Sequence, residues 1–266
     1  MRTIELNLGE TNNYFVREAF NTLRTNILFS GKHVKVIVVT SCFAHEGKTT
    51  VSFEMARSLA DANKRVLLVD ADLRKSVTAS RYTKERGIAG LSQILSGQVE
   101  ADFATYHTQI PGMDMIFAGP FPPNPTELVG SPAFKELLDG VRDNYDYIII
   151  DAPPLGLVID AAVMASVCDG AVLVINQGTV KYRIAQDVKN QLSKSGCRIL
   201  GVVLNQAQRK KRGIKNQREA YYGRYGEYYA HEEKPQAPAA KPTSKPVPPR
   251  PQGQPQRSTP PTGTKK

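Results

Sequence analysis

The chain lacks the features of a secreted or membrane-spanning protein. Its three cysteines, Cys42, Cys168 and Cys197, are odd in number and widely spaced, which argues against a disulfide framework or a cysteine metal site. No apolar run approaches the roughly 20 residues that span a bilayer, and the N-terminus has no basic region followed by an apolar core. We therefore expect a cytoplasmic protein that reaches a membrane only through a partner or a surface charge.

Acidic and bulky apolar residues are nearly absent from 234–266. This segment has ten of the eighteen prolines and seven of the 35 Lys and Arg residues, no acidic residue, and Val247 as its one bulky apolar side chain. Such a composition cannot bury enough surface to offset its ordering entropy and predicts a disordered basic tail. The rest of the chain, with 28 basic and 25 acidic residues, is nearly neutral, so the net charge does not predict nucleic acid as a partner.

Apolar runs alternate with helical patterns in the remainder. The apolar runs lie at 34–39, 66–69, 113–117, 147–150, 171–175 and 199–204, and the helical patterns at 14–29, 49–60, 126–142, 159–168 and 184–195. This alternation predicts an α/β fold, with a mostly parallel sheet and helices on both faces. The apolar spacing within 14–29 predicts that one face of this helix docks on the domain. We predict a folded domain over 1–207, a flexible segment over 208–233, and the disordered tail over 234–266.

A phosphate-binding loop is predicted between the first of these strands and its helix. Gly47 allows a close backbone approach, Lys48 is placed to reach terminal phosphates, and the hydroxyl of Thr49 is placed to bind magnesium. The fold is thus predicted to resemble that of P-loop NTPases, with ATP and Mg²⁺ as ligands. The predicted nucleotide-binding residues are Cys42, Phe43, Ala44, His45, Glu46, Gly47, Lys48, Thr49 and Thr50.

Three aspartates at strand ends are predicted to share the carboxyl edge of the sheet with this loop. Asp70 and Asp72 follow one strand and Asp151 follows another. Aspartates also cap helices, but three of them beside a phosphate loop favour magnesium. The predicted metal residues are Thr49, Asp72 and Asp151. Phosphoryl transfer also needs a cationic clamp and a carboxylate for the attacking hydroxyl, and either Asp70 or Asp72 could be that base. The predicted catalytic residues are Lys48, Asp70, Asp72 and Arg74.

Five tyrosines lie close together in the flexible segment. They follow neither helix nor strand periodicity, and the glycines among them indicate a mobile segment, which suits an acceptor that must enter an active site. The alternative is that their rings pack on the domain or on a partner. The predicted phosphoacceptors are Tyr221, Tyr222, Tyr225, Tyr228 and Tyr229.

The order of these motifs resembles the bacterial tyrosine kinase family, often called BY-kinases. The resemblance extends over about 14–229 and includes the leader at 18–26, the loop at 47–49, the acidic motif at 70–74, and the segments 119–128, 151–154, 160–161 and 201–205. It implies an autophosphorylating protein-tyrosine kinase that also has other protein substrates and controls capsular or exopolysaccharide synthesis. It further implies a transmembrane activator that recruits the kinase to the inner face of the cell membrane, and a homo-oligomer that could be a ring.

Two positions depart from the family pattern. Asn21 stands between Glu18 and Arg24, where the family usually has an arginine, so Glu18 and Arg24 remain as the predicted oligomerisation residues and a ring would be weaker. Ala44 and His45 stand where the family usually has proline and glycine. If the backbone φ at His45 is positive, the loop is strained and nucleotide affinity is expected to be reduced or altered.

Two alternatives to a kinase remain open at this point. One is a partition-type or septum-positioning ATPase, although such proteins usually have a lysine near the start of the loop, where this chain has Phe43. The other is a nucleotide-sensing scaffold with little catalysis.

Overall fold

The computed structural model describes residues 2–8 and 13–207, and in this part of the chain eight strands form one sheet. The strands are β1 Arg2–Ile4, β2 Val36–Ser41, β3 Val66–Asp70, β4 Thr105–Thr108, β5 Met113–Ile116, β6 Tyr147–Asp151, β7 Gly170–Asn176 and β8 Ile199–Asn205. The helices are α1 Tyr14–Phe29, α2 Lys48–Asp61, α3 Thr78–Tyr82, α4 Leu91–Leu95, α5 Ala101–Ala104, α6 Pro125–Val129, α7 Pro132–Val141, α8 Asp160–Ala165 and α9 Tyr182–Lys194. The predicted tyrosine cluster and proline-rich tail lie outside the described residues.

The sheet is mostly parallel, and helices cover both faces. Its spatial order is β1-β4-β5-β3-β6-β2-β7-β8, and among the described strands only β4 and β5 pair antiparallel. Side chains alternate between two core layers. Val36 and Val38 of β2 pack in the layer that contains residues of α7, α8 and α9, whereas Ile37 and Val39 pack in the layer that contains residues of α2. The predicted α/β architecture is confirmed.

Some strands and helices differ from the predictions, and the short helices α3, α4 and α5 were not predicted. Strands β1 and β4 were not predicted, because they are three and four residues long and have little apolar periodicity. The predicted helix over 126–142 is two helices, since α6 ends at Val129 and α7 begins at Pro132, which has no N–H to continue a helix. The predicted helix over 159–168 is shorter and spans only α8.

Helix α1 docks on the domain through its C-terminal half. Ile27 is buried, and Phe20 and Leu23 pack partly buried against the same core layer as α2. Phe15 and Ala19, which the same spacing placed on the docking face, are exposed. The docking prediction is therefore confirmed only for the second half of the helix. None of the helices among the described residues is long and apolar enough to cross a membrane.

The carboxyl edge of the sheet brings the predicted site residues together. Strand β6 lies between β3 and β2, so the ends of these three strands are neighbours. Asp70 at the end of β3 is the register partner of Asp151 at the end of β6, and Asp151 is also paired with Val39 of β2. The loop that follows β2 therefore starts beside both aspartates.

Candidate active site

The loop between β2 and α2 is held in shape by the side chain of Glu46. Glu46 is 3% exposed, and its Oε2 accepts a hydrogen bond of 2.7 Å from the Phe43 N–H, while its Oε1 accepts one of 3.3 Å from the Asn176 N–H. The Glu46 carbonyl accepts a hydrogen bond of 2.9 Å from Asn205 Nδ2. This carboxylate therefore organises the loop, a role that the sequence alone did not predict.

Two loop residues have left-handed backbone conformations. Gly47, which precedes α2, has φ +89°, and a Cβ atom there would lie 2.0 Å from Asn205 Nδ2. The conformation therefore favours glycine, and a Cβ atom would also displace the Asn205 side chain in β8. His45 has φ +66° without being glycine, so the backbone conformation for which strain was predicted is present.

Lys48 opens helix α2 and lies among the carboxylates of the sheet edge. Its Nζ is 2.9 Å from Asp72 Oδ2, 3.7 Å from Asp151 Oδ1 and 3.4 Å from the Thr49 hydroxyl. Burial alone would lower the pKa of Lys48, but Asp151 and Asp72 outweigh this and raise it above its ordinary value. The ammonium is therefore charged, and it is positioned by the same carboxylates that were predicted to bind metal.

Asp70 contacts the backbone of Asp72 and has a raised pKa. Its Oδ1 accepts a hydrogen bond of 3.2 Å from the Asp72 N–H, and its Oδ2 accepts one from the Ser76 hydroxyl. Burial, together with the nearby charge of Asp151, raises the pKa of Asp70 to about 7, although the hydrogen bond from Ser76 favours the carboxylate and acts to lower this pKa. Burial likewise raises the pKa of Asp151.

The donor set at this edge fits a magnesium ion. Asp151 Oδ2 is buried without a hydrogen-bond partner, which leaves one carboxylate oxygen available to a ligand, and Thr49 and Asp72 lie beside Lys48. In residues 2–8 and 13–207 no group of three or more His, Cys, Asp or Glu side chains forms a metal cluster. Magnesium does not need one, because it is usually bound by one or two carboxylates together with waters and substrate phosphates.

A cavity of about 330 Å³ opens in front of these groups, within the usual size range of ligand sites. It is lined by Ala44, His45, Gly47, Lys48, Thr49, Asp72, Arg74, Lys75, Val77, Arg81, Pro153, Pro154, Leu157 and Val158. Five of the predicted nucleotide-binding residues line the cavity, namely Ala44, His45, Gly47, Lys48 and Thr49. Of the predicted catalytic residues, Lys48, Asp72 and Arg74 line it. Arg81 was not predicted, and its guanidinium donates a hydrogen bond of 2.6 Å to the Thr50 hydroxyl.

The other predicted nucleotide-binding residues do not line this cavity. Cys42 is buried, and burial raises the pKa of its thiol to about 11, so the thiol is protonated at neutral pH. Phe43 and Glu46 stabilise the loop through their hydrogen bond, and Thr50 contacts Arg81. Among the predicted catalytic residues, Asp70 does not line the cavity either.

Arg74 and the leader residues are also placed by specific contacts. Arg74 forms an ion pair with Asp160, with 2.7 Å between Nε and Oδ2. In α1, Glu18 is exposed and accepts a hydrogen bond of 2.9 Å from Asn21 Nδ2. Arg24 donates a hydrogen bond of 2.8 Å to the Ser58 carbonyl in α2.

A parallel sheet with this loop, lysine and carboxylates defines a P-loop type nucleotide-binding protein. The family described as AAA domain matches residues 34–185. Tyrosine-protein kinase CpsD of Streptococcus agalactiae is 41% identical over 211 residues, which cover 79% of this chain and 89% of that protein. Tyrosine-protein kinase YwqD of Bacillus subtilis is 35% identical over 211 residues, covering 79% of this chain and 86% of that protein.

Solved structures agree with the sequence relatives. The kinase domain of the Escherichia coli tyrosine kinase ETK superposes with a TM-score of 0.71 at 26% identity, covering 81% of this chain and 94% of that one. The chain therefore belongs to the bacterial tyrosine kinase family and is a protein-tyrosine kinase. The predicted resemblance is confirmed, and these relatives favour the kinase over a partition-type ATPase.

Proposed function

We propose that this kinase binds Mg-ATP in the cavity beside Lys48 and transfers the γ-phosphoryl group to tyrosines in its own C-terminal cluster. The observation that supports this most directly is the convergence of Lys48, Thr49 and Asp72 on one cavity, behind a loop with Gly47 at positive φ. The proposed acceptors are Tyr221, Tyr222, Tyr225, Tyr228 and Tyr229.

The side chains around the cavity have distinct proposed roles. Lys48 binds the terminal phosphates, because an ammonium that already pairs with carboxylate oxygens also suits phosphate oxygens. Of the predicted metal residues, Thr49 and Asp151 would hold Mg²⁺, which would supply positive charge to the phosphate oxygens, whereas Asp72 acts on the acceptor phenol. Arg74, at the rim of the same cavity, contacts the transferring group.

The acceptor phenol needs a carboxylate to take its proton. In the transfer, the phenol oxygen bonds to phosphorus, the bond from phosphorus to the ADP oxygen breaks, and the phenol proton passes to a carboxylate. Asp72 lines the cavity, whereas Asp70 is 1% exposed and does not. We therefore assign the proton acceptor to Asp72 and a supporting role to Asp70, which accepts the hydrogen bond of the Asp72 N–H.

The proposal extends to the partners of the kinase. A transmembrane activator of the polysaccharide chain-length type would recruit it to the inner face of the cell membrane, where it would regulate capsular or exopolysaccharide synthesis. A homo-oligomer would present the tail of one subunit to the cavity of another. The exposed Glu18 is available for such a contact, whereas Arg24 is bound to Ser58 within the chain and would have to exchange that partner.

Incubation with labelled Mg-ATP and the cytoplasmic segment of the activator tests the proposed acceptors. Wild type should gain phosphotyrosine, and a variant with all five cluster tyrosines changed to phenylalanine should lose almost all of it. Tyr182→Phe is the matched control, because Tyr182 is 78% exposed in α9 and tests whether exposure alone makes an acceptor. Full labelling of the five-fold variant would refute the proposed acceptors.

A mixing experiment tests transfer between subunits. Lys48→Met chains with intact tails are combined with active chains that lack the cluster. Label on the tail of the Lys48→Met chain is expected if one subunit phosphorylates another. A tail that stays unlabelled, while active wild-type chains label themselves, would show that transfer occurs within one chain.

A further inference from the structure

Arg74 is anchored at the cavity by a buried carboxylate at the start of α8. Asp160 is 2% exposed, and both of its oxygens accept hydrogen bonds from the guanidinium, 2.7 Å from Nε to Oδ2 and 3.2 Å from Nη2 to Oδ1. This fork-like pairing fixes the plane of a guanidinium better than a single contact does. Because the Arg74 side chain is 37% exposed, it would otherwise sample many rotamers.

Thr126 completes the anchor from a third segment of the chain. Its hydroxyl accepts a hydrogen bond of 2.7 Å from Arg74 Nη2 and donates one of 2.7 Å to Asp160 Oδ1. Only a group that both donates and accepts can bridge these two partners, and a hydroxyl does so. The network thus joins the loop after β3 to the first turns of α6 and α8, two helices that pack on each other.

The anchored guanidinium keeps one nitrogen for a ligand. Nε and Nη2 of Arg74 are used by Asp160 and Thr126, while Nη1 makes no hydrogen bond with the residues that the structure describes. Arg74 lines the same cavity as Lys48 and Thr49. A guanidinium fixed in this way can donate to a phosphate oxygen without first being ordered by the substrate.

We propose that Thr126 and Asp160 are positioning residues that hold Arg74 for contact with the γ-phosphate. The inference rests on the proposed function, because it requires ATP in this cavity. It assigns a role to two sequence motifs, 119–128 and 160–161, that the resemblance identified without explaining.

The test compares Thr126→Val with Thr126→Ser in the full chain. Valine has nearly the shape of threonine but no hydroxyl, whereas serine keeps the bridge. Affinity for a non-hydrolysable ATP analogue and for ADP, each with Mg²⁺, is measured by calorimetry. We expect Thr126→Val to weaken the analogue about tenfold, as for a lost charge-assisted hydrogen bond, with ADP changed less than about twofold and Thr126→Ser close to wild type.

Two controls separate positioning from a general loss of structure. Thr105→Val removes a buried threonine hydroxyl that bonds the Ala101 carbonyl at 2.8 Å, outside the cavity lining, and should leave both affinities unchanged. In an Arg74→Ala background, Thr126→Val should have no further effect, because the group that it positions is gone.

The possible results have different consequences. If the wild type binds both nucleotides and Thr126→Val binds the analogue equally well, or weakens it equally with and without Arg74, the inference is wrong and the proposed function stands. If Thr126→Val weakens ADP and the analogue alike, the network supports the fold and not the γ-phosphate contact, which also overturns the inference. If the wild type binds neither nucleotide, the proposed function and the inference both fail.

Discussion

Asp70→Asn should change the pH dependence of stability in a direction set by burial. Asp70 is 1% exposed, and burial and Asp151 raise its pKa to about 7 in the folded chain. In the unfolded chain the carboxyl has its ordinary pKa near 4. A carboxyl whose pKa is higher in the folded state keeps its proton there after the unfolded chain has lost it. Its contribution to stability is therefore complete below about pH 4 and is lost as the pH rises to about 7.

The size of the effect follows from this pKa difference. Between pH 5 and the folded pKa of about 7, the folded chain retains a proton that the unfolded chain lacks. Each pH unit then lowers the free energy of unfolding by about 1.4 kcal/mol, so the wild type should lose about 3 kcal/mol between pH 5 and pH 8 through this group. Asparagine has no ionisation, and its amide oxygen can still accept the hydrogen bond of the Asp72 N–H.

Urea unfolding at pH 5, 6, 7 and 8 measures the effect, without magnesium or nucleotide, since either would add charge beside Asp70. The quantity of interest is the free energy of unfolding of wild type minus that of Asp70→Asn, in which titrating groups that do not interact with Asp70 cancel. This difference should fall by about 3 kcal/mol across the range. Asp139→Asn, at a carboxylate that is 58% exposed, serves as the control for adding an asparagine. Parallel pH profiles for wild type and Asp70→Asn would refute the reasoning, as would a difference that grows with pH.

Three other predictions concern the loop and the metal residues. His45 has φ +66°, a conformation that β-branched residues disfavour, so His45→Val should lower the free energy of unfolding by about 1–2 kcal/mol. His45→Gly should leave it nearly unchanged, and equal effects of the two substitutions in urea unfolding would contradict backbone strain at this position. Gly47→Ala should lower the free energy of unfolding by about 2 kcal/mol, part of it because the new Cβ displaces Asn205 from the Glu46 carbonyl. In a double-mutant cycle, Gly47→Ala combined with Asn205→Ala should therefore lose less than the sum of the two single losses, and full additivity would exclude the clash. Asp151→Asn should raise the Mg²⁺ concentration needed for half-maximal kinase activity about tenfold, and an unchanged magnesium titration would remove Asp151 from the proposed metal residues.

Much of the fold and part of the site could be predicted from local sequence patterns. The apolar strands end at Ser41, Asp70 and Asp151, and parallel strands place such ends at one edge, so the sequence contained enough information to bring Lys48 near the aspartates. The break between α6 and α7 was also visible in the sequence, because Pro132 cannot continue a helix. The predicted helix over 126–142 overlooked that signal.

The contacts that shape the site come from residues far apart in the chain, and no local pattern reports them. Asp160 lies 86 positions after Arg74, and Asn205 lies 159 positions after Glu46. Each pair meets only because the sheet order places their segments at the same edge. The sequence showed that Asp160 and Asn205 belong to family motifs. Their roles became apparent only when the structure showed that Asp160 binds Arg74 and that Asn205 binds the Glu46 carbonyl.

The same edge of the sheet contains several groups whose burial is unfavourable for stability. In the part of the chain that the structure describes, the buried side-chain oxygens without hydrogen-bond partners are Thr78 Oγ1 and Asp151 Oδ2, and both follow or end strands of this edge. Buried polar atoms are normally paired, because leaving one unpaired costs about 1–3 kcal/mol. Burial also raises the pKa of Asp70 and of Asp151, so this edge disfavours its own negative charge. A divalent cation with phosphates would reverse that preference by supplying positive charge to the carboxylates and oxygen ligands to Lys48. The unfavourable burial would therefore prepare this edge for the proposed ligands, and a variant that relieved it would be expected to gain stability and lose affinity together.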